Sequence, residues 1–531
     1  MTFFLLFISA VLLLGVLFSK LSNRIGIPVL LGFLALGMVF GTDGIFRIPF
    51  DDYDIVNHIS TIALIFIIFY GGFGTNWKAA KPVAVQSILL STLGVFATAA
   101  LTGVFCHFVL GFSWLEGLLV GSVIGSTDAA SVFSILRSKN LSLKHNTASM
   151  LELESGSNDP CAYMMTFLIL SMMGGGVTGG QAVVLTLQQV LFGLAGGALI
   201  AWAAAWIIRT LKDDSSVGPL VVVAVAILSY ALPAYLGGNG YLSAYVVGLV
   251  LGNQHVADKK ELVHFMDGIV CLMQITLFFM LGLLSTPSRL PACLPVALAI
   301  TAFLTFVSRP LSVVALLRPF KAPVGQLGVV AWAGLRGATS VVFAIMVVIS
   351  GVKTQYDLFH ITFCVVLLSI GVQGSLLPWC AKKLKMIDPQ GNVMRTFNDY
   401  SGDDTPVQFI RIYIHEGHPW NGKLIREAPL PPDLRAALIL RGDERVLPKG
   451  DTLLCPGDIL ILSAIAYQDE QRIELRETAV AGHPEWQGKH IYEVDWGGAL
   501  VILVQRGGES VLPSGEVELQ SEDTVVLADM G

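Results

Sequence analysis

Charge is scarce in this sequence. Only 14% of its 531 residues are Asp, Glu, Lys or Arg, while 54% are hydrophobic and the mean hydropathy is +0.70. Soluble domains carry about 25% charged residues, so most of the chain is excluded from a water-soluble fold. Cysteine is sparse as well. Cys106, Cys161, Cys271, Cys293, Cys364, Cys380 and Cys455 include no Cys-x-x-Cys pair, which excludes a thiolate metal site and a disulfide framework. They read as small apolar packing residues. The ten histidines are dispersed, and His145 and His264 read as interface residues at helix ends. No Thr-Val-Gly-Tyr-Gly filter of a potassium channel is present. Gly174–Gly179 has the glycine spacing of a dinucleotide site but no βαβ unit around it, and the tail has no such fingerprint. The first apolar run, Thr2–Phe18, lacks a basic lead and a small-residue cleavage site, so it reads as a membrane helix and not a removed signal.

The few charges are unevenly spread. Up to Lys385 there are 21 Lys and Arg against 15 Asp and Glu, and from Met386 onward 12 against 24. The reading is a basic transmembrane domain over 1–386, a linker over 387–404, and an acidic tail. Acidity argues against nucleic acid or anionic lipid as the tail's partner. Thirteen windows are long and apolar enough for a bilayer: 2–19, 26–42, 55–74, 82–106, 114–136, 145–173, 180–208, 217–236, 240–254, 263–285, 292–317, 323–349 and 357–380. Alternate loops between them hold 16 basic residues, whereas the opposite loops hold Arg47, Arg289 and Lys353. The positive-inside rule then puts the N-terminus outside and the tail in the cytoplasm.

Asp128 and Asp159 each stand near the middle of a long apolar segment. A charge at bilayer depth costs roughly 2.5–3.5 kcal/mol and marks an ion or proton pathway. Asp159 belongs to Glu154-Ser155-Gly156-Ser157-Asn158-Asp159-Pro160. On a helix, Glu154 and Asn158 share one face and Ser155 and Asp159 the next, while Pro160 leaves a backbone carbonyl without its usual donor. All of these groups offer oxygen, the ligand that alkali cations take. Burial disfavours an ionised carboxylate, so a proton and a cation compete for Asp159. Arg309 and Arg336 also lie in membrane windows and stay charged. Each needs an anion or the carboxyl end of a broken helix, and Glu154, Asp128 and Asp159 are available. A pair of Glu154 with Arg309 reads as a structural clamp, which leaves Asp159 free to cycle. Gly125–Val132 echoes Gly334–Val341 seven windows later, the pattern of an inverted repeat with two broken helices.

The tail repeats itself. His418–Lys423 returns as His483–Lys489, Arg441–Pro448 as Arg506–Pro513, and Asp458 as Asp523. Short β-patterned runs between Gly and Pro turns give two small α+β modules, 405–465 and 474–531.

Thr127-Asp128, Glu154-Ser155 with Asn158-Asp159, Arg309 and Gly334–Ala338 together resemble the CPA1 cation:proton antiporters over residues 1–386. That resemblance implies a dimeric NhaA-like fold of thirteen helices with crossed broken helices five and twelve. It implies a monovalent cation or proton at Asp159, supported by Asn158 and Ser155. Thr127 and Asp128 would lie at the crossing with Arg336, and Glu154 would pair with Arg309. Asn at 158 resembles the electroneutral branch. The tail resembles the ligand-binding half of RCK domains (TrkA-C type), the second module less well. With Leu283–Arg289, the whole resembles the NhaP2-type potassium/proton antiporters of bacterial inner membranes. The expectation is a secondary antiporter and not an enzyme. It would export K⁺, and Na⁺ as well, against H⁺ for pH and K⁺ homeostasis. It would be a homodimer without a cofactor, with a small regulatory ligand such as a nucleotide at the tail. The rival readings are an RCK-regulated potassium channel and a non-transporting membrane sensor.

Overall fold

The computed structural model describes residues 9, 11, 13–15, 29–388 and 407–529, except 140, 178, 211–216, 255–258, 429, 431–433, 443, 466–473, 497–498, 507–508 and 512. The first window and the linker therefore fall almost wholly outside the described residues. The chain divides into two units, Met1–Gly402 and Asp403–Gly531.

The first unit is helical. Its helices are α1 (Val29–Phe40), α2 (Tyr53–Gly74), α3 (Lys81–Leu110), α4 (Trp114–Val123), α5 (Ala129–Ser138), α6 (Thr147–Met173), α7 (Gly179–Thr210), α8 (Val217–Tyr235), α9 (Gly240–Gly252), α10 (Lys259–Leu284), α11 (Pro287–Phe320), α12 (Val324–Trp332), α13 (Ala338–Ile349) and α14 (Leu358–Lys383). Seven of the described helices, α2, α3, α7, α8, α10, α11 and α14, contain spans long and apolar enough to cross a bilayer. α6 has the length, but Glu152, Glu154 and Asp159 lower its apolar character. The 114–136 window is not one helix but two, α4 and α5, separated by extended Gly125–Asp128. The 323–349 window likewise divides into α12 and α13 around Gly334–Gly337.

Local chemistry explains where these helices begin. Ser113 and Glu116 form a reciprocal capping box at α4, with Ser113 Oγ accepting from the Glu116 amide at 3.3 Å and Glu116 Oε2 accepting from the Ser113 amide at 3.1 Å. Asp52, Asn239 and Asp357 cap α2, α9 and α14. α9 lies against α2 at backbone distance, because a Cβ at Gly248 or Gly252 would fall 2.0 Å from the carbonyl oxygen of Phe69 or Phe73. This is close packing through small residues four apart, as lipid-embedded helices use. α3, α11 and α14 each contain one π-helical segment, at Leu90–Gly94, Leu304–Ser308 and Ser369–Gly374. Such bulges displace backbone groups from the regular ladder.

The second unit holds two four-stranded antiparallel sheets. The first contains β1 (Val407–Tyr413), β2 (Arg435–Arg441), β3 (Glu444–Val446) and β4 (Asp458–Ile465) in the order β1-β4-β2-β3. The second contains β5 (Glu474–Ala479), β6 (Leu500–Arg506), β7 (Glu509–Val511) and β8 (Thr524–Asp529) in the order β5-β8-β6-β7. The likeness extends to single residues. The register shifts between Ala436 and Leu438 in one sheet and between Val501 and Leu503 in the other. Ile439, Leu454, Leu460 and Leu462 are buried in the first, and Val504, Leu519, Val525 and Leu527 in the second. Every one of these pairs is 65 residues apart. The tail is β-rich: of the expected α+β character, the described residues show strands and short 3-10 turns, with no α-helix among them. The turns Ile425–Glu427 and Ile491–Glu493 stop after three residues. Ala428-Pro429 ends the first, since the residue before proline is pushed out of helical backbone. Gly497-Gly498 follows soon after the second.

Each sheet is closed by the same ion pair. Arg441 donates from Nε and Nη2 to the two carboxylate oxygens of Asp458, both at 2.8 Å. Arg506 does the same to Asp523 at 2.7 and 2.8 Å. Both carboxylates are fully buried. The Arg441 guanidinium holds the Asp458 carboxyl below its ordinary value, against the pull of burial. At Asp523 burial pulls upward, but Arg506 and the Gln520 amide outweigh it and the net direction is again down. A depressed carboxylate stabilises the fold above its unfolded value, and that contribution is lost as pH falls through the folded one. The thermal midpoint of the tail should therefore stay level from neutral pH down and decline below about pH 4. Asp458→Asn should lower the midpoint at neutral pH and flatten the acid decline, measured by differential scanning fluorimetry across pH.

Candidate functional site

The two interrupted windows meet. The Asp128 amide donates to the Leu335 carbonyl at 2.8 Å, which ties one break to the other. Where α4 stops, Arg336 takes the place of the missing turn: its Nη1 donates to the Gly125 and Ser126 carbonyls at 2.7 and 2.8 Å. A cation there offsets the negative end of the α4 dipole. Asp128 serves the opposite ends. Its carboxylate accepts from the Ser131 amide at 3.2 Å and from Ser131 Oγ, which caps α5. It also lies against Gly337, where a Cβ would come within 2.5 Å of Asp128 Oδ2. Glycine at 337 thus lets one carboxylate face the first turns of both α5 and α13. The carboxyl end of α12 is met by α14, whose Gln373 Nε2 donates to the Trp332 carbonyl at 2.7 Å. Ser369 Oγ, in the π segment, receives the Arg336 amide at 2.9 Å.

α6 passes beside this crossing and brings the remaining residues to it. Asn158 Nδ2 donates to Thr127 Oγ1 at 2.6 Å, and Ser155 Oγ donates to the Thr127 carbonyl at 2.7 Å. Asp159 receives a hydrogen bond from Ser126 Oγ on Oδ1 and one at 3.5 Å from Thr339 Oγ1 on Oδ2. Glu154 points elsewhere. It accepts from Arg309 Nη2, and both side chains are buried. The arginine stem runs along Gly334, where a Cβ would come 2.9 Å from Arg309 Nε. Asp128, Thr127, Ser155, Asn158 and Asp159 are therefore brought together. Arg336 sits at the crossing, and Glu154 with Arg309 ties α6 to α11.

A cavity of about 670 Å³ reaches this cluster. Thr127, Asp128, Ser155, Asp159 and Thr339 line its inner end. Tyr70, Glu152 and Asp267 lie on its wall, with Tyr70 donating to Asp267. Oxygen atoms dominate the polar lining, which suits a hard monovalent cation. Past Asp159 on α6, an aromatic cluster fills the space. Tyr163 stands 5.0 Å from Tyr241 and 6.0 Å from Phe343, centroid to centroid, and Tyr241 stands 4.8 Å from Tyr230.

Sequence reasoning missed Ser126, Thr339, Glu152, Tyr70 and Asp267. Ser126 and Thr339 lie inside the two echoing segments. Asp267 had the same signal as Asp128, a carboxylate inside an apolar window. Glu152 and Tyr70 had no signal of their own.

Residues 8–383 match the family described as sodium/hydrogen exchanger, transmembrane, and residues 409–466 match the TrkA-C domain. The K(+)/H(+) antiporter NhaP of Alkalimonas amylolytica is 36% identical over 387 residues, covering 72% of this chain and 67% of the relative. The K(+)/H(+) antiporter NhaP2 of Shewanella oneidensis is 34% identical over 455 residues, covering 84% of this chain and 78% of the relative. Among solved structures, the sodium proton antiporter MjNhaP1 from Methanocaldococcus jannaschii at pH 8 superimposes with a TM-score of 0.62 at 25% identity, over 70% of this chain and 98% of that one. On the match over 8–383 and the extent of these identities, the chain belongs to the sodium/hydrogen exchanger family, with a TrkA-C domain in its tail.

Proposed function

We infer that this protein exchanges a monovalent cation for a proton across a membrane, with Asp159 as the carboxylate that carries each in turn. One observation carries the reading: Asp159 lines a cavity at the crossing of two interrupted helices, among hydroxyl groups. A channel needs a continuous pore, and a sensor needs no carboxylate at that depth. Both named relatives are potassium/proton antiporters and the structural neighbour is a sodium/proton antiporter. K⁺ is the cation assigned here, with Na⁺ as a second substrate. Asn158, Ser155, Thr127 and Asp128 supply or position the oxygens around the ion. Asn158, being uncharged, supports one cation per proton. No cofactor is assigned.

The finer architecture belongs to the same proposal. Thirteen membrane helices would form an inverted repeat, supported by two interrupted windows with matched sequences and by π segments in both α3 and α11, seven windows apart. Two copies would pair as a homodimer in a bacterial inner membrane, the N-terminus outside and the tail in the cytoplasm. The transmembrane domain would run over 1–386, the linker over 387–404, and two TrkA-C-like modules over 405–465 and 474–531. Support for the second module is its identical strand order and matching ion pair. The tail would bind a small ligand such as a nucleotide and bias the transporter by differential affinity for its conformations.

Asp159→Asn should insert normally and show no exchange in proteoliposomes, because an amide cannot alternate between protonated and cation-bound forms. Potassium-driven proton flux at the parental rate would overturn the mechanism. Removing one partner of the buried Glu154–Arg309 pair should cost roughly 3–5 kcal/mol. Glu154→Ala and Arg309→Ala should then each lower the melting temperature, and the double variant should lose less than their sum. A chain ending at Asp388 should keep electrically silent exchange with a shifted pH or ligand response, read by dye dequenching in everted vesicles with K⁺, Na⁺, Li⁺ and Rb⁺.

A further inference from the structure

Ser126 occupies a place that the motif around it does not announce. It lies in the extended stretch between α4 and α5, it is buried, and its Oγ faces two acceptors on α6. One is Asp159 Oδ1 and the other is Asn158 Oδ1, at 3.4 Å. A serine hydroxyl has one proton to give and two lone pairs to receive with. It cannot donate to both acceptors at once.

We propose that Ser126 is a positioning residue that switches its hydroxyl between Asp159 and Asn158 according to what Asp159 carries. The proposal rests on Asp159 being the exchanging carboxylate. With Asp159 ionised, Ser126 donates to Asp159 Oδ1 and leaves the Asn158 amide oxygen open toward a cation. With Asp159 protonated, its O–H donates to Ser126 Oγ, and Ser126 donates to Asn158 Oδ1, which closes that oxygen to the cation. The two states differ by the one proton that Asp159 exchanges with the cavity, while Ser126 keeps its own proton and donates it in both.

The surroundings fix the other parts. The Asn158 amide is oriented by its donation to Thr127 Oγ1 at 2.6 Å, so its oxygen faces Ser126. Backbone on either side of Ser126 is anchored by Arg336 on the Gly125 and Ser126 carbonyls. Among the described residues, the second carboxylate oxygen has Thr339 Oγ1 at 3.5 Å, a longer contact than that on Oδ1. Competition between the two ions is then settled at Oδ1. A hydrogen bond to an ionised carboxylate is about twice as strong as one between neutral groups, so the hydroxyl favours the ionised, cation-ready form.

The test compares Ser126→Ala, Ser126→Thr and Asp159→Asn in proteoliposomes, with K⁺-driven proton flux measured against K⁺ concentration and against pH. Ser126→Ala should raise half-saturating K⁺ about tenfold at fixed pH. It should also move the pH of half-maximal exchange upward by about one unit. Ser126→Thr, which keeps the hydroxyl, should restore both. Should the alanine variant fail to insert, Ser126→Cys keeps the size with a much weaker donor and should show the same two shifts. A rise in half-saturating K⁺ with an unmoved pH profile would make Ser126 a plain cation ligand and overturn the switch. So would alanine and threonine variants with equal defects. An inactive Asp159→Asn beside a parental Ser126→Ala overturns the switch alone, whereas an active Asp159→Asn overturns the exchange mechanism beneath it.

Discussion

A helix that stops inside a membrane leaves backbone groups with no water to bind, and two helices of this protein stop there within reach of each other. Everything near the site follows from meeting that debt. Arg336 takes the carbonyls at the end of α4, and Asp128 caps the first turn of α5 while lying against Gly337 at the start of α13. Each charged residue is stable in the interior because the opposite partial charge of a helix end lies against it. The ends, in turn, stay non-helical while the charges hold them. Ser126 and Thr339 are carried to Asp159, and Thr127 to Asn158 and Ser155, by these same segments. The chemistry of the cavity is in this sense a by-product of how two broken backbones are satisfied.

Two buried ion systems divide the work. Glu154 and Arg309 join α6 to α11, with the arginine stem threaded past Gly334. This consumes the strongest acid–base pair available to α6 and keeps Arg309 away from Asp159. Further along α6, the hydrogen bonds to the Asp159 carboxylate among the described residues come from hydroxyl groups. A carboxylate fixed by guanidinium would be poorly placed to exchange ions. One held by hydroxyls can give up either ion, because hydroxyls rotate and carry no net charge.

Much of this was legible in the sequence, and the reasons are physical. Charges in an apolar run are expensive, so Asp128, Asp159, Arg309 and Arg336 stood out at once. Small residues at Gly125–Val132 and Gly334–Val341 marked the interruptions. Ser126 and Thr339 were harder to see, since a hydroxyl in a membrane helix commonly bonds its own backbone, as Thr102 and Thr166 do here. Only the three-dimensional crossing turns those two toward Asp159. Tyr70 and Asp267 meet across 197 positions of sequence, and no local pattern encodes such a meeting. In the tail, β-patterning and the repeat were visible, whereas each Ile-x-Glu segment among the described residues forms only a single 3-10 turn.

The spacing of 65 residues between equivalent strand positions, and 66 between the equivalent turns, has a consequence for inheritance. Two copies encoded in one gene are always made in equal number. Substitutions in one copy are not imposed on its twin. The buried residues and the Arg–Asp pairs have stayed matched, while the exposed loops have already parted, His418-Pro419-Trp420 in one and His483-Pro484-Glu485-Trp486 in the other. A duplicated scaffold of this kind can keep one function while its copy drifts toward another.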